Sequence, residues 1–440
     1  MRLPRKTVAE NAFAANDPRR SRRIRRSPLT YTRPVMGQGQ PRVDSIPSGS
    51  RGLGPLPYHL QVVECLKRHE PDVWAWASSQ KARSEHIEEV RAHLLRNTYR
   101  LEASAHPEVH AALKQAMQRL GIDAPATLYQ AGGQDMNASL VFVPGEIHVV
   151  LLGPVLERLA AEERLALFGH ELAHYLLWSR DGGNFHVADR ILNDALASPQ
   201  STDSHRETFR RYSLHTELFA DRGGAIAADA LAPAVSTLVK VQTGIANPDP
   251  VAYLRQAAEI DARESVSSGG DTHPETFVRA RALELWWQGA DDLDRWIDAR
   301  LHGPLALDGL DLPGQLRLQG LVRGFMAHYL ADATLRSELV LNQVRDLFPD
   351  WSPEEAPVLP AAFGAGHATD SVRGLLNALM LDVALVDPDV QDAAILRAAH
   401  VARELGSFEA LQANLRRDAR FGKRELDQLS KRMGRQEVDA

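Results

Sequence analysis

Leu165-Ala166-Leu167-Phe168-Gly169-His170-Glu171-Leu172-Ala173-His174-Tyr175-Leu176-Leu177-Trp178 sets two histidines four residues apart inside an apolar run, with a glutamate directly after the first. In a helix, positions i and i+4 are separated by about 400° of rotation and about 6 Å of rise, so both imidazoles leave one face and can share an ion. Glu171 projects from a neighbouring direction, where it can reach a water at that ion without ligating, as a general base requires. The flanking apolar residues imply burial, and two imidazoles and a carboxylate buried without partners cost several kcal/mol. A bound cation removes that cost.

Further along, Glu217-Leu218-Phe219-Ala220-Asp221 lies 43 residues after His174 within a helical pattern running from about His205 to Ala230. Glu217 supplies the third protein ligand of a His₂Glu site, which leaves the fourth position for water. Asp221, one turn on, faces the same way and can accept from the free N–H of a ligating imidazole. Thr272-His273-Pro274-Glu275-Thr276-Phe277-Val278-Arg279 reads as a helix start with proline just inside it. From there His273 and Arg279 can turn toward the metal and stabilise an oxyanion.

Upstream, Leu140-Val141-Phe142-Val143, a Pro144-Gly145 turn and Ile147-His148-Val149-Val150-Leu151-Leu152 read as a hairpin or small sheet between Thr127 and Leu152. The motif helix is expected to run from about Pro154 to Trp178 and to stop before Asp181-Gly182-Gly183. A short helix over Asp189–Leu196 follows. Helical spacing also covers Tyr58 to about Ala105, with Trp74 and Trp76 as packing anchors, then Glu108–Leu120 up to Gly121, and almost everything beyond residue 290.

At 440 residues, the chain exceeds what one core supports. Its 44% apolar and 25% charged residues are those of a globular protein. Residues 1–33 carry ten Lys/Arg against Glu10 and Asp17, so the net charge of −6 leaves the remainder at −14. The body is acidic, and no nucleic-acid partner is expected, although the pairs Arg19-Arg20, Arg22-Arg23 and Arg25-Arg26 leave an anionic partner or a targeting address open for the basic segment; no apolar stretch follows them, which argues against export. The basic segment and the Pro/Gly-rich stretch 34–57 read as a disordered tail and linker. No run of about 18 apolar residues appears, so no membrane span is expected. One cysteine, Cys65, excludes an internal disulfide and any thiolate metal site, and fits a reducing, cytoplasmic location.

In order along the chain, Asn137-Ala138, the strand at Ile147–Leu152, His170-Glu171-x-x-His174, Glu217-x-x-x-Asp221 and His273-Pro274…Arg279 resemble the HtpX-like metallopeptidase family, which includes the CAAX prenyl proteases. The resemblance covers about residues 106–290. It implies a mainly α fold with a small β-sheet (α+β) and a zincin-like core bearing helical N-terminal (58–105) and C-terminal extensions. One Zn²⁺ per chain is implied on His170, His174 and Glu217, with Asp221 behind them and Glu171, His273 and Arg279 catalytic. Asn137 and Ala138 would lie on an edge strand that pairs with extended polypeptide substrate. This sequence reads Asn137-Ala138-Ser139-Leu140 where the family has Asn-Ala-Phe-Ala, and it lacks that family's membrane segments. Beyond a connector at 291–320, Gly374–Met380 and Asp382–Asp387 resemble a TerB-like helical domain over 321–440, with Pro388 and Ala394 replacing that family's Gly and Glu. That likeness implies an interaction module for a protein partner. The expected activity is zinc-dependent endopeptidase, possible uses including protein quality control. The alternative is a silent or self-inhibited zinc scaffold acting through its C-terminal helices.

Overall fold

The computed structural model describes residues 52–199, 201–263, 267–270 and 272–438. The basic segment and most of the Pro/Gly-rich stretch lie outside them. The described chain is mainly helical with one four-stranded sheet. In order it comprises α1 (Pro57–His69), α2 (Pro71–Ala77), α3 (Gln80–Asn97), β1 (Tyr99–Arg100), α4 (Pro107–Leu120), β2 (Ala126–Ala131), β3 (Asn137–Val143), β4 (Glu146–Leu152), α5 (Val155–Arg158), α6 (Ala161–Ser179), α7 (Asn184–Ala197), α8 (Asp203–Ala228), α9 (Leu231–Thr243), α10 (Pro250–Arg263), α11 (Thr276–Gln288), α12 (Leu293–Leu301), α13 (Leu312–Tyr329), α14 (Glu338–Leu347), α15 (Asp370–Ala384), α16 (Gln391–Glu404), α17 (Phe408–Asp418) and α18 (Lys423–Val438). No helix among the described residues is long and apolar enough to cross a membrane.

Two compact units divide the chain. Among the described residues, the first takes those up to 199, 212–263 and 269–293, and the second takes 201–211, 267–268 and 294–438. This division differs from the sequence-based ranges. The helices of 58–105 belong with the sheet, and two short pieces from within 106–290 group with the C-terminal residues. Tertiary contact decides both placements, and no local pattern records it.

In the first unit the sheet has the order β1-β2-β4-β3. The β3–β4 hairpin is antiparallel, with Val143 opposite Glu146 around Pro144-Gly145, and Gly145 at φ 84° suits the second central position of a type II turn. β2 pairs with β4 in parallel, and the two-residue β1 pairs antiparallel with β2. Within the 58–105 range, read as helical throughout, β1 was therefore missed; two residues carry no periodicity. β3 ends up as an edge strand, and β4, flanked on both sides, is buried over five of its seven residues.

Helix α4 stops at Gly121, which is left-handed at φ 68°, as the Leu120-Gly121 step indicates. The expected single helix from Pro154 is two, α5 and α6. The break at Leu159–Ala160 is stabilised because the Ala160 amide donates to Glu163 Oε2 at 2.7 Å, so a glutamate in the first turn caps the new helix start. Glu163 also accepts from Ser236 (2.6 Å) and Lys240 (2.7 Å) of α9, so its buried charge is paired. Residues 53–56, expected as linker, are packed instead: Leu53 and Leu56 are 3% and 2% exposed. Beyond them α1 lies on α8, where Tyr58 stacks on His215 at 4.6 Å between centroids and His59 Nε2 meets Thr216 Oγ1 at 3.2 Å. Trp74 lies under the Lys67 ammonium, but Trp76 is 58% exposed and anchors no packing.

The second unit is helical, with one isolated bridge between Leu305 and Ala368. Its core gathers Phe325, Tyr329, Phe363, Leu376 and Met380 among others. Asn377, fully buried, donates to the Ser407 carbonyl at 3.1 Å and accepts from its hydroxyl at 3.2 Å, so the one amide inside this core is satisfied.

Candidate active site

Helices α6 and α8 cross with almost no side chain between them. A Cβ placed on Gly169 would stand 2.3 Å from Ala227 Cβ and 2.5 Å from the Gly223 carbonyl oxygen. One placed on Gly223 would stand 2.4 Å from Ala173 Cβ, and one on Gly224 2.8 Å from the Ala166 carbonyl oxygen. Glycine is the residue that permits such backbone approach. The crossing sets the side chains just beyond it, His170 and His174 on α6 and Glu217 and Asp221 on α8, face to face.

His170 Nε2 and His174 Nε2 are 3.3 Å apart, and Glu217 lies 3.5 Å from the first and 3.7 Å from the second. One donor atom from each residue falls within 4.8 Å of the others, so the group can hold a metal ion. The surroundings fit that use. His170 Nδ1 is turned to Asp221 Oδ1 at 3.0 Å, which leaves Nε2 for a ligand. Glu217 Oε2 is buried without a hydrogen bond, its charge paired with Arg279 Nη2 at 3.1 Å, and two imidazoles whose Nε2 atoms face each other across 3.3 Å cannot both be protonated there. A nitrogen–nitrogen–carboxylate donor set suits zinc among the common divalent ions.

Electrostatics sort the five groups. Burial opposes charge on His170, yet the hydrogen bond to Asp221 and the nearby carboxylates raise its pKa. Burial and the charge on His170 lower His174 to about 3, which keeps that imidazole neutral and able to ligate. Glu217 is pulled down to about 2 against its burial by His273, Arg279 and the two histidines. Asp221 is held well below the carboxylate range by Arg279, again against burial. Glu171 behaves in the opposite way: burial pushes it up to about 7, with Glu217 adding to the rise. It lies below the edge strand, where the Leu140 amide donates to it.

Arg279 is placed differently from the oxyanion role expected of it. Its Nε donates to Asp221 Oδ2 at 2.8 Å and its Nη2 to Oδ1 at 2.6 Å, and Nη2 stands 3.1 Å from Glu217. The bidentate pair fixes Asp221, and the further contact draws Glu217 to the same guanidinium, so Arg279 is placed to orient these two carboxylates. His273 is 55% exposed, held by Thr272 Oγ1 at 2.8 Å, with Nε2 3.6 Å from Glu217. Pro274 precedes the helix; α11 starts at Thr276 after Glu275, which leaves His273 on a loop facing the site.

All these residues line one cavity of about 910 Å³, together with Asn137 to Phe142 of β3. Asn137 Oδ1 accepts from the Ala138 amide at 2.9 Å. Among the described residues β3 has no strand on its outer side. Several lining residues went unread in the sequence. Phe142, Trp178 and His186 form a ring cluster beside His174, with Phe142 and His186 4.4 Å apart. His186 sits in the first turns of α7, which starts at Asn184 and not at Asp189. The glycines of the crossing were also missed, although glycine inside an apolar helix costs about 1 kcal/mol and so marks a packing need. No family model matches the chain, and neither a curated protein nor a solved structure matches it.

Proposed function

We propose that the protein is a zinc-dependent endopeptidase with a zincin-like core. The observation that carries this reading is the convergence of His170, His174 and Glu217 next to a buried, unligated glutamate and an open strand edge. Zinc held by those three residues would supply Lewis-acid polarisation of a peptide carbonyl and of water. The free edge of β3 offers main-chain hydrogen bonds that hold an extended polypeptide across the cavity. Glu171, poised near neutrality, removes the proton from the attacking water and delivers it to the leaving amine. Asp221 and Arg279 keep His170 and Glu217 in register, and His273 is the donor left to face the developing oxyanion.

The test is metal content together with cleavage of an unfolded protein such as casein, with and without chelator. The chain should purify with about one zinc, and His174→Ala should remove both the zinc and the cleavage. Full zinc occupancy in that variant would dismiss the site. His273→Ala is expected to lower kcat by roughly 10²–10³-fold, the usual cost of one oxyanion donor, with KM and zinc content little changed. If kcat stays at the wild-type value and only the melting temperature falls, His273 shapes its loop and has no part in the chemistry.

A further inference from the structure

We propose that Asp189 and the ring cluster beside it form a side-chain subsite for a positively charged substrate residue, a lysine or arginine of the bound polypeptide. The proposal rests on the peptidase reading above and supplies the substrate class which that reading leaves open.

Asp189 lines the same cavity as the candidate ligands. Contacts lead from one to the other: the His174 and Trp178 rings lie 5.4 Å apart, Trp178 and His186 5.9 Å, and Asp189 follows His186 by one turn on the same face of α7. Phe142 of the edge strand completes the wall, 5.7 Å from Trp178. An extended peptide on β3 would pass directly over these rings.

Among the described residues the carboxylate has no cationic partner. Asp189 Oδ2 accepts from the Asn193 amide at 3.2 Å, and Asp194, the charge that acts on it, has the same sign. Of the arginines that line the cavity, Arg96 is exposed and Arg279 is committed to Asp221 and Glu217. Aspartate is also a poor helix former, so position 189 carries a half-buried acid in mid-helix with no cation paired with it among the described residues, which costs stability. Burial pushes its carboxyl up to about 7, a strain that a cation would relieve. Aromatic walls suit the rest of such a side chain, because they cover the methylene stem and attract the cationic head.

The test walks one lysine, and separately one norleucine, through an eight-residue alanine/serine peptide. Binding is read on the full-length, zinc-loaded Glu171→Gln chain and cleavage on the wild type. At one position lysine should be favoured over norleucine by roughly tenfold, as expected for a charge-assisted contact at a half-buried site. Asp189→Asn should erase that preference while the norleucine peptide is handled as before and zinc is retained. Equal treatment of lysine and norleucine at every position overturns the subsite, as does a preference that survives Asp189→Asn. Cleavage without lysine preference overturns the subsite alone. Lysine-selective binding that depends on Asp189, with no cleavage by wild type, upholds the subsite and overturns the peptidase reading. Failure of every peptide to bind overturns both.

Discussion

Glu171→Gln is expected to lower peptide turnover by roughly 10²–10⁴-fold while zinc content stays at the wild-type value. The amide has the shape of the carboxylate but cannot accept a proton, and Glu171 is not one of the three converging donors. The same variant should be more stable than the parent when both are metal-free. A carboxyl whose pKa rises from 4.5 to about 7 on burial weakens the fold when it is ionised. That penalty is absent below pH 4.5, grows as pH rises to 7 and is complete above it. Removing the charge should therefore add on the order of 1–3 kcal/mol at pH 8 and nothing at pH 4. Steady-state kinetics, metal analysis and paired melts at the two pH values measure all three effects. Turnover near wild type would take Glu171 out of the chemistry.

Gly223→Ala should cost about 3 kcal/mol or more and strip the zinc. The new methyl would lie 2.4 Å from Ala173 Cβ and 2.7 Å from the Gly169 carbonyl oxygen, against an ordinary carbon–carbon contact of about 3.5–4.0 Å. Neither neighbour is the end of a flexible side chain, so α6 and α8 must separate by about 1 Å. Metal–ligand distances tolerate roughly 0.2 Å, and two candidate ligands ride on one helix and the third on the other. Stability and metal affinity therefore fall together. Gly320→Ala and Gly374→Ala provide the contrast, since both glycines lie within helices with open space where a Cβ would sit. There the same substitution should stabilise by about 0.5–1 kcal/mol. Denaturant melts and zinc titration of the three variants decide the matter, and a Gly223→Ala protein with wild-type zinc affinity would show that the crossing does not set the ligand geometry.

The candidate site was more legible than the fold around it. His170, Glu171, His174, Glu217 and Asp221 announce themselves because i, i+4 spacing on a helix is local geometry, and the structure brings the five together. Helix α7 began five residues earlier than its apolar spacing indicated, because Asn184 and His186 carry polarity that hides a helix whose inner face is partly cavity wall. Arg279 was misplaced because a sequence shows that an arginine is near, but not which anion claims it. The β1 strand, the packing of Leu53 and Leu56, and the assignment of residues 201–211 to the second unit depend on partners far along the chain, which no window of residues contains.

The stacking of Tyr58 on His215 and the bond between His59 and Thr216 have a further consequence, for how this chain can be cut and recombined. Residues 106–290 hold every candidate ligand and the edge strand, and look like a transplantable cassette. Yet the reverse of the ligand-bearing helix is covered by α1, and its buried Tyr212, His215 and Phe219 pack around His59. A fragment opened at residue 106 would expose that aromatic surface to water and surrender the support behind Glu217. The smallest transplantable unit holding the candidate site therefore reaches back at least to Leu53, and that site is portable only with its N-terminal helix attached.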